Sequence, residues 1–198
     1  MKFPIGIQDF KKIREGGFVY VDKTALLYKL ANEGTIYFLS RPRRFGKSLL
    51  VSTLKYYFGG ERELFNGLAI DALEKDWNSY PIFHVDFNST NYTKSGDVLS
   101  KLIKGTVEDW ERQYGYVGNE EFDYGKRFAE LLKHVHATTG KRCVVLVDEY
   151  DKPLLDVLDS GMVEQGGDGK EMLLEDINRE ILKGFYSAFK SADQDLRF

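Results

Sequence analysis

The chain has 198 residues, 42% hydrophobic and 30% charged, which is long enough to bury a sizeable core. A formal net charge of -3, from 28 basic and 31 acidic residues, excludes the whole-domain basic footprint of a nucleic-acid binder, so any such binding would have to be local. No apolar run approaches the roughly 18 residues that span a bilayer, the opening MKFPIGIQDFKK lacks an apolar signal core, and the single Cys143 reads as a buried small hydrophobe. A cytoplasmic protein with no membrane contact is the expectation.

In chain order, residues 1–17 are mixed and close on Gly16-Gly17. FVYV at residues 18–21 predicts a short strand, and Asp22 caps a helix over about residues 23–33 with Leu26, Leu27 and Leu30 on one face. TIYFL at residues 35–39 predicts an apolar strand of a sheet covered on both faces. The loop SRPRRFGKS, residues 40–48, then opens a helix over residues 47–58 that Gly59-Gly60 stops.

After an irregular stretch, PIFHVDF at residues 81–87 predicts another strand, with proline at its start where a missing N–H is tolerated. Helices follow over about residues 97–114 and 121–138, and the strand at residues 142–147 runs into Asp148-Glu149. Asp151 and Pro153 suit the N-cap and first turn of a helix to about residue 158. Residues 160–169 are the most loop-like of the chain, and a last helix covers about residues 171–193. This alternation predicts an α/β fold with a mostly parallel sheet and right-handed crossovers. Ligands of such sheets sit beyond the carboxyl ends of the strands, where the loop and Asp148-Glu149 both fall.

Gly46-Lys47-Ser48 matches the second half of G-x-x-x-x-G-K-[ST], while the first glycine position falls on Arg41. In such a loop, backbone N–H groups point at an anion, the Lys47 ammonium reaches the β- and γ-phosphates, and the Ser48 hydroxyl ligates Mg²⁺. The candidate cofactor-binding residues are Arg43, Arg44, Phe45, Gly46, Lys47, Ser48 and Leu49. Asp148 joins Ser48 as a candidate metal ligand, and Glu149 would orient or deprotonate an attacking water, so Lys47 and Glu149 are the candidate catalytic residues.

Arg41, Arg43, Arg44 and Lys47 are dense enough to suit polyphosphate, or to pair with acids such as Asp86, Asp148 or Glu149. His134 and His136, two apart on a helix, do not share a face, so they predict no metal site. His84 and Asp86 share a strand face and read as structural. The base-reading tetrad N-K-x-D is absent, which leans the cofactor toward ATP with Mg²⁺. The alternative to an ATPase is a non-hydrolysing regulatory or DNA-associated module.

YVDKT at residues 20–24, YFLSRPRRFGKSLL at 37–50, YYFGG at 56–60 and VVLVDEYDKPL at 144–154 together resemble the AAA-ATPase-like family of bacterial proteins, common in gut Bacteroidetes and Clostridia. The family writes its loop without the first glycine, which accounts for Arg41. The resemblance implies a P-loop NTPase-type three-layer sandwich over residues 35–198, with residues 1–34 as a strand-and-helix lead-in. It also implies ATP and Mg²⁺ as cofactors, possible homo-oligomers, and a nuclease-like domain of the restriction-endonuclease type, or nucleic acid, as a partner in full-length members.

In related P-loop ATPases the strand after the acidic pair senses the γ-phosphate, and LRF at residues 196–198 resembles its first residues. The chain is therefore expected to be a fragment, incomplete at the C-terminus and poorly equipped for hydrolysis.

Overall fold

The first helix is set by an aspartate. In the computed structural model, which describes residues 1–40, 45–165 and 169–198, Asp9 accepts the Lys12 N–H at 2.8 Å and so caps α1 (Phe10–Glu15). Phe10 and Ile13, one turn apart, are the buried residues of this helix. The contacts divide the chain into one unit of Met1–His84, Cys143–Asp148 and Arg197–Phe198, and a second of Val85–Arg142 and Glu149–Leu196.

In the first unit, α2 (Thr24–Glu33), α3 (Lys47–Phe58) and α4 (Ala69–Leu73) join α1. The second carboxylate oxygen of Asp9 accepts the Tyr56 phenol at 2.8 Å and the Ser52 hydroxyl at 3.4 Å, tying α1 to α3. Asp22 accepts the Thr24 N–H at 2.8 Å and the Ala69 N–H at 2.7 Å, and the Thr24 hydroxyl accepts the Ile70 N–H at 3.0 Å. Two residues of YVDKT thus satisfy the starts of both α2 and α4. Residues 1–34 contribute Phe10, Leu27 and Ala31 to a core shared with Leu54, Phe58, Phe65, Ile70, Val144 and Leu146. Leu27 is buried as expected, but Leu26 is 67% exposed, because α2 turns Thr24, Leu27 and Ala31 inward.

Strand β1 (Ile82–Asp86) lies beside β2 (Val144–Asp148) in a small parallel sheet, begun by the Val144 N–H donating to the Pro81 carbonyl at 2.8 Å. On β2, the Arg197 N–H donates to the Cys143 carbonyl at 2.7 Å, and the Val145 N–H to the Phe198 carbonyl at 2.9 Å. Cys143 is buried.

Two expected strands do not form. Phe18 makes only an isolated bridge to Lys2. Residues 35–39 are irregular: Ile36 and Phe38 are 68% and 71% exposed, and Tyr37 stacks on Phe198 at 5.5 Å. An apolar run becomes a buried strand only where a sheet covers both its faces, and here two of its side chains meet water.

The second unit is built on α5 (Asp97–Tyr114), α6 (Tyr124–Thr139), α7 (Lys152–Leu155) and α8 (Leu174–Ser191). Phe128 stacks between Trp110 and Phe185 at centroid distances of 5.0 and 5.4 Å. Arg127 donates to both carboxylate oxygens of Glu111, at 3.0 and 2.5 Å, in a buried bidentate pair. Part of the expected loop and the expected start of the last helix are instead an antiparallel hairpin of β3 (Val163–Gln165) and β4 (Glu171–Leu173). The helix begins at Leu174, whose N–H is taken by the Met162 carbonyl at 2.8 Å. No helix among the described residues is long and apolar enough to cross a membrane.

The helices α6 and α8 approach closely at glycine. A Cβ on Gly125 would stand 2.1 Å from the Gly184 carbonyl oxygen. Gly125→Ala is expected to destabilise the protein by about 1–3 kcal/mol of overpacking, read as a lower urea midpoint.

Burial raises the Asp9 and Asp22 carboxyls, but their hydrogen bonds outweigh it and hold both below the usual carboxylate range. Burial and then the bond to Asp9 push the Tyr56 phenol up to about 12. The lowered carboxyls contribute stability that is present above about pH 4 and lost as the pH falls through their folded values. The raised phenol contributes stability that is present below about pH 10 and lost as the pH rises through its folded value. Tyr56→Phe should therefore shrink the loss of thermal stability above about pH 10, and an unchanged alkaline limb would contradict this assignment.

Candidate functional site

Gly46 precedes α3 at φ 76° and ψ 25°, a left-handed conformation that glycine adopts without a Cβ penalty. The first helical bond runs from the Leu50 N–H to the Gly46 carbonyl at 3.0 Å, and the N-cap glycine has no side chain to cap this end. The N–H groups of Lys47, Ser48 and Leu49 therefore open the helix as first-turn donors, where the positive end of the helix dipole favours an anion. A Cβ built on Gly46 meets nothing within 4 Å among the described residues, and the φ of 76° is itself the reason for a glycine here. Phe45 is 63% exposed, while Lys47, Ser48 and Leu49 are half-buried. Arg43 and Arg44 lie outside the described residues.

Asp148 ends β2 and is 8% exposed. Because α3 packs against β2, the helix that carries Lys47 and Ser48 and the strand that carries Asp148 belong to one unit. Ser48 and Asp148 offer hard oxygen donors, the type Mg²⁺ takes from a protein beside phosphate and water oxygens. Among the described residues, no group of three His, Cys, Asp or Glu side chains gathers around a common point.

Glu149 follows at φ 51°, left-handed although it is not glycine. Such residues persist only where their surroundings hold them, and nothing in the string DEYDKP announces this one. Asp151 occupies the N-cap of α7 with Pro153 in the first turn, but its carboxylate makes no capping bond, in contrast to the expectation. Two of the weaker candidates make local hydrogen bonds. Asp86 accepts the Asn88 N–H at 2.8 Å, and His136 shares a 2.8 Å hydrogen bond with Asp195.

Sequence reasoning missed a cavity of about 520 Å³ in the second unit, where Tyr150, Asp151 and Leu154 face residues of α8. Its signal was the helical spacing of Arg179, Lys183, Tyr186 and Lys190 on that helix.

Residues 4–198 match a family model described as Predicted AAA-ATPase. A curated relative, named as an uncharacterized protein in the vnfD 5′ region of Azotobacter chroococcum mcd 1, is 40% identical over 202 residues. That match covers 100% of this chain, and the chain spans 36% of the relative's length. No solved structure matches.

The backbone of Glu149 gives a stability test. Glu149→Ala and Glu149→Gly lose the same carboxylate, but only glycine takes φ 51° without the left-handed cost of about 1–2 kcal/mol. The glycine variant should be the more thermostable of the two, the reverse of their usual order, and an alanine variant of equal or higher melting temperature would contradict the assignment.

Proposed function

The chain belongs to the predicted AAA-ATPase family, and from that membership we propose that it binds ATP with Mg²⁺ at the loop ending in Phe45-Gly46-Lys47-Ser48. The observation that carries the reading is the left-handed Gly46 at the N-cap of α3 in the unit whose β2 ends at buried Asp148. In this reading the N–H groups of Lys47, Ser48 and Leu49 cradle phosphate, joined by those of Arg43, Arg44, Phe45 and Gly46. The Lys47 ammonium neutralises the β- and γ-phosphates. Ser48 and Asp148 hold the metal shell, and Mg²⁺ supplies charge neutralisation at the phosphate oxygens when bound with the nucleotide. Glu149 acts as the base that orients or deprotonates water. The small parallel sheet is proposed as part of a P-loop three-layer sandwich, with the loop beyond the carboxyl end of its strands.

Calorimetric titration with ATP, with and without Mg²⁺, tests this proposal. Lys47→Ala should weaken binding by about tenfold or more, equivalent to at least ~1.4 kcal/mol. Asp148→Asn should remove the gain that Mg²⁺ gives, whereas Glu149→Gln should bind within about twofold of the parent, because a base contributes to the transition state and not to ground-state binding. Unchanged affinity in Lys47→Ala would refute the proposal.

A further inference from the structure

The cavity in the second unit shares no residue with the loop. Its size, about 520 Å³, falls in the range of small-ligand sites. Its lining is mostly apolar, with Tyr150, Leu154 and Leu182 giving aromatic and aliphatic surface and Asp151 giving a carboxylate acceptor.

Two features set it apart from an ordinary surface hollow. The first is the Tyr186 hydroxyl, which is buried and has no hydrogen-bond partner among the described residues. An orphaned buried donor is costly and calls for an explanation. Burial, with Tyr92, Asp151 and Tyr150 near, pushes this phenol upward, so at neutral pH the hydroxyl keeps its proton as a donor.

The second is the row of cations. Arg179, Lys183 and Lys190 line the cavity from α8, at spacings that keep them on one side of the helix. Arg179 pairs with Asp176 and Lys183 with Glu180 one turn back, as exposed pairs worth about 0–1 kcal/mol that a phosphate can displace. Lys190 has no ion pair among the described residues.

We propose that this cavity binds a nucleotide unit, with its base against Tyr150 and Tyr186 and its phosphate on Lys183 and Lys190. A nucleobase brings a flat apolar face for the tyrosines, an N–H for Asp151 and an acceptor for the Tyr186 hydroxyl, a combination that an aliphatic anion lacks. A free mononucleotide and a unit of a single strand share this chemistry.

The test uses the full chain in a Lys47→Ala background, which weakens binding at the loop, so that the effect of the cavity variants is read apart from it. Titrations at low salt follow adenosine monophosphate by calorimetry and a fluorescent single-stranded oligothymidylate of about 12 nucleotides by anisotropy. Binding of either probe should fall about tenfold in Tyr186→Phe and in Lys190→Glu. Removing an unpartnered buried hydroxyl should leave the melting temperature of Tyr186→Phe unchanged or higher, which separates lost binding from lost folding.

Binding of the mononucleotide as tight as that of the oligonucleotide assigns the site to free nucleotides. An oligonucleotide at least tenfold tighter, with an affinity that falls steeply with salt, assigns it to single strands. No binding of either probe, or binding that neither variant changes, overturns the proposal. Because Lys47 is already removed, that outcome leaves the reading of the loop intact.

Discussion

The structure depends on how α3 is held from behind. Its N-cap is a left-handed glycine, which has no side chain of its own to hold the helix start. The fixing comes from further along, where Ser52 and Tyr56 reach Asp9 and Tyr57 reaches Glu74 at 2.5 Å. Leu54, Tyr57 and Phe58 are buried in the core with Val144 and Leu146 of β2. A helix anchored by its second half has its first turn placed by the core behind it, and the first turn is where a phosphate site uses backbone N–H groups.

The same logic sorts the strings that carry the family resemblance. YVDKT is structural: Asp22 and Thr24 satisfy backbone donors of α2 and α4 and sit far along the chain from any phosphate chemistry. YYFGG is structural as well, supplying Tyr56 to Asp9, Tyr57 to Glu74, Phe58 to the core and Gly59 to the end of α3. FGKS and the DEY step are different. There the backbone takes left-handed angles at Gly46 and Glu149, and the side chains are those suited to phosphate, metal and water.

Local signals made α3 and α5 legible to the residue, because an apolar period of helical spacing runs between glycines in both. The start of α1 carried a signal too, an aspartate before Phe10 and Ile13, but it sat in a mixed stretch too short for a period to stand out. Residues 35–39 misled because an apolar run reports hydrophobicity and not the neighbour that would make it a strand. The hairpin of β3 and β4 was hidden by glycine-rich, loop-like composition. Of the candidate site, the residue types of Lys47, Ser48 and Asp148 were legible, since they follow from a motif. The angle at Glu149 and the cavity with its buried Tyr186 hydroxyl arise only from tertiary packing, which no spacing encodes.

The central claim is that the start of α3 is where nucleotide is held. Amide hydrogen exchange reads those donors directly. Addition of Mg²⁺ and ATP should slow exchange at the amides of residues 45–49, while those of the anchored second half of α3 change little. Protection that appears elsewhere in the chain and spares residues 45–49 would contradict the account.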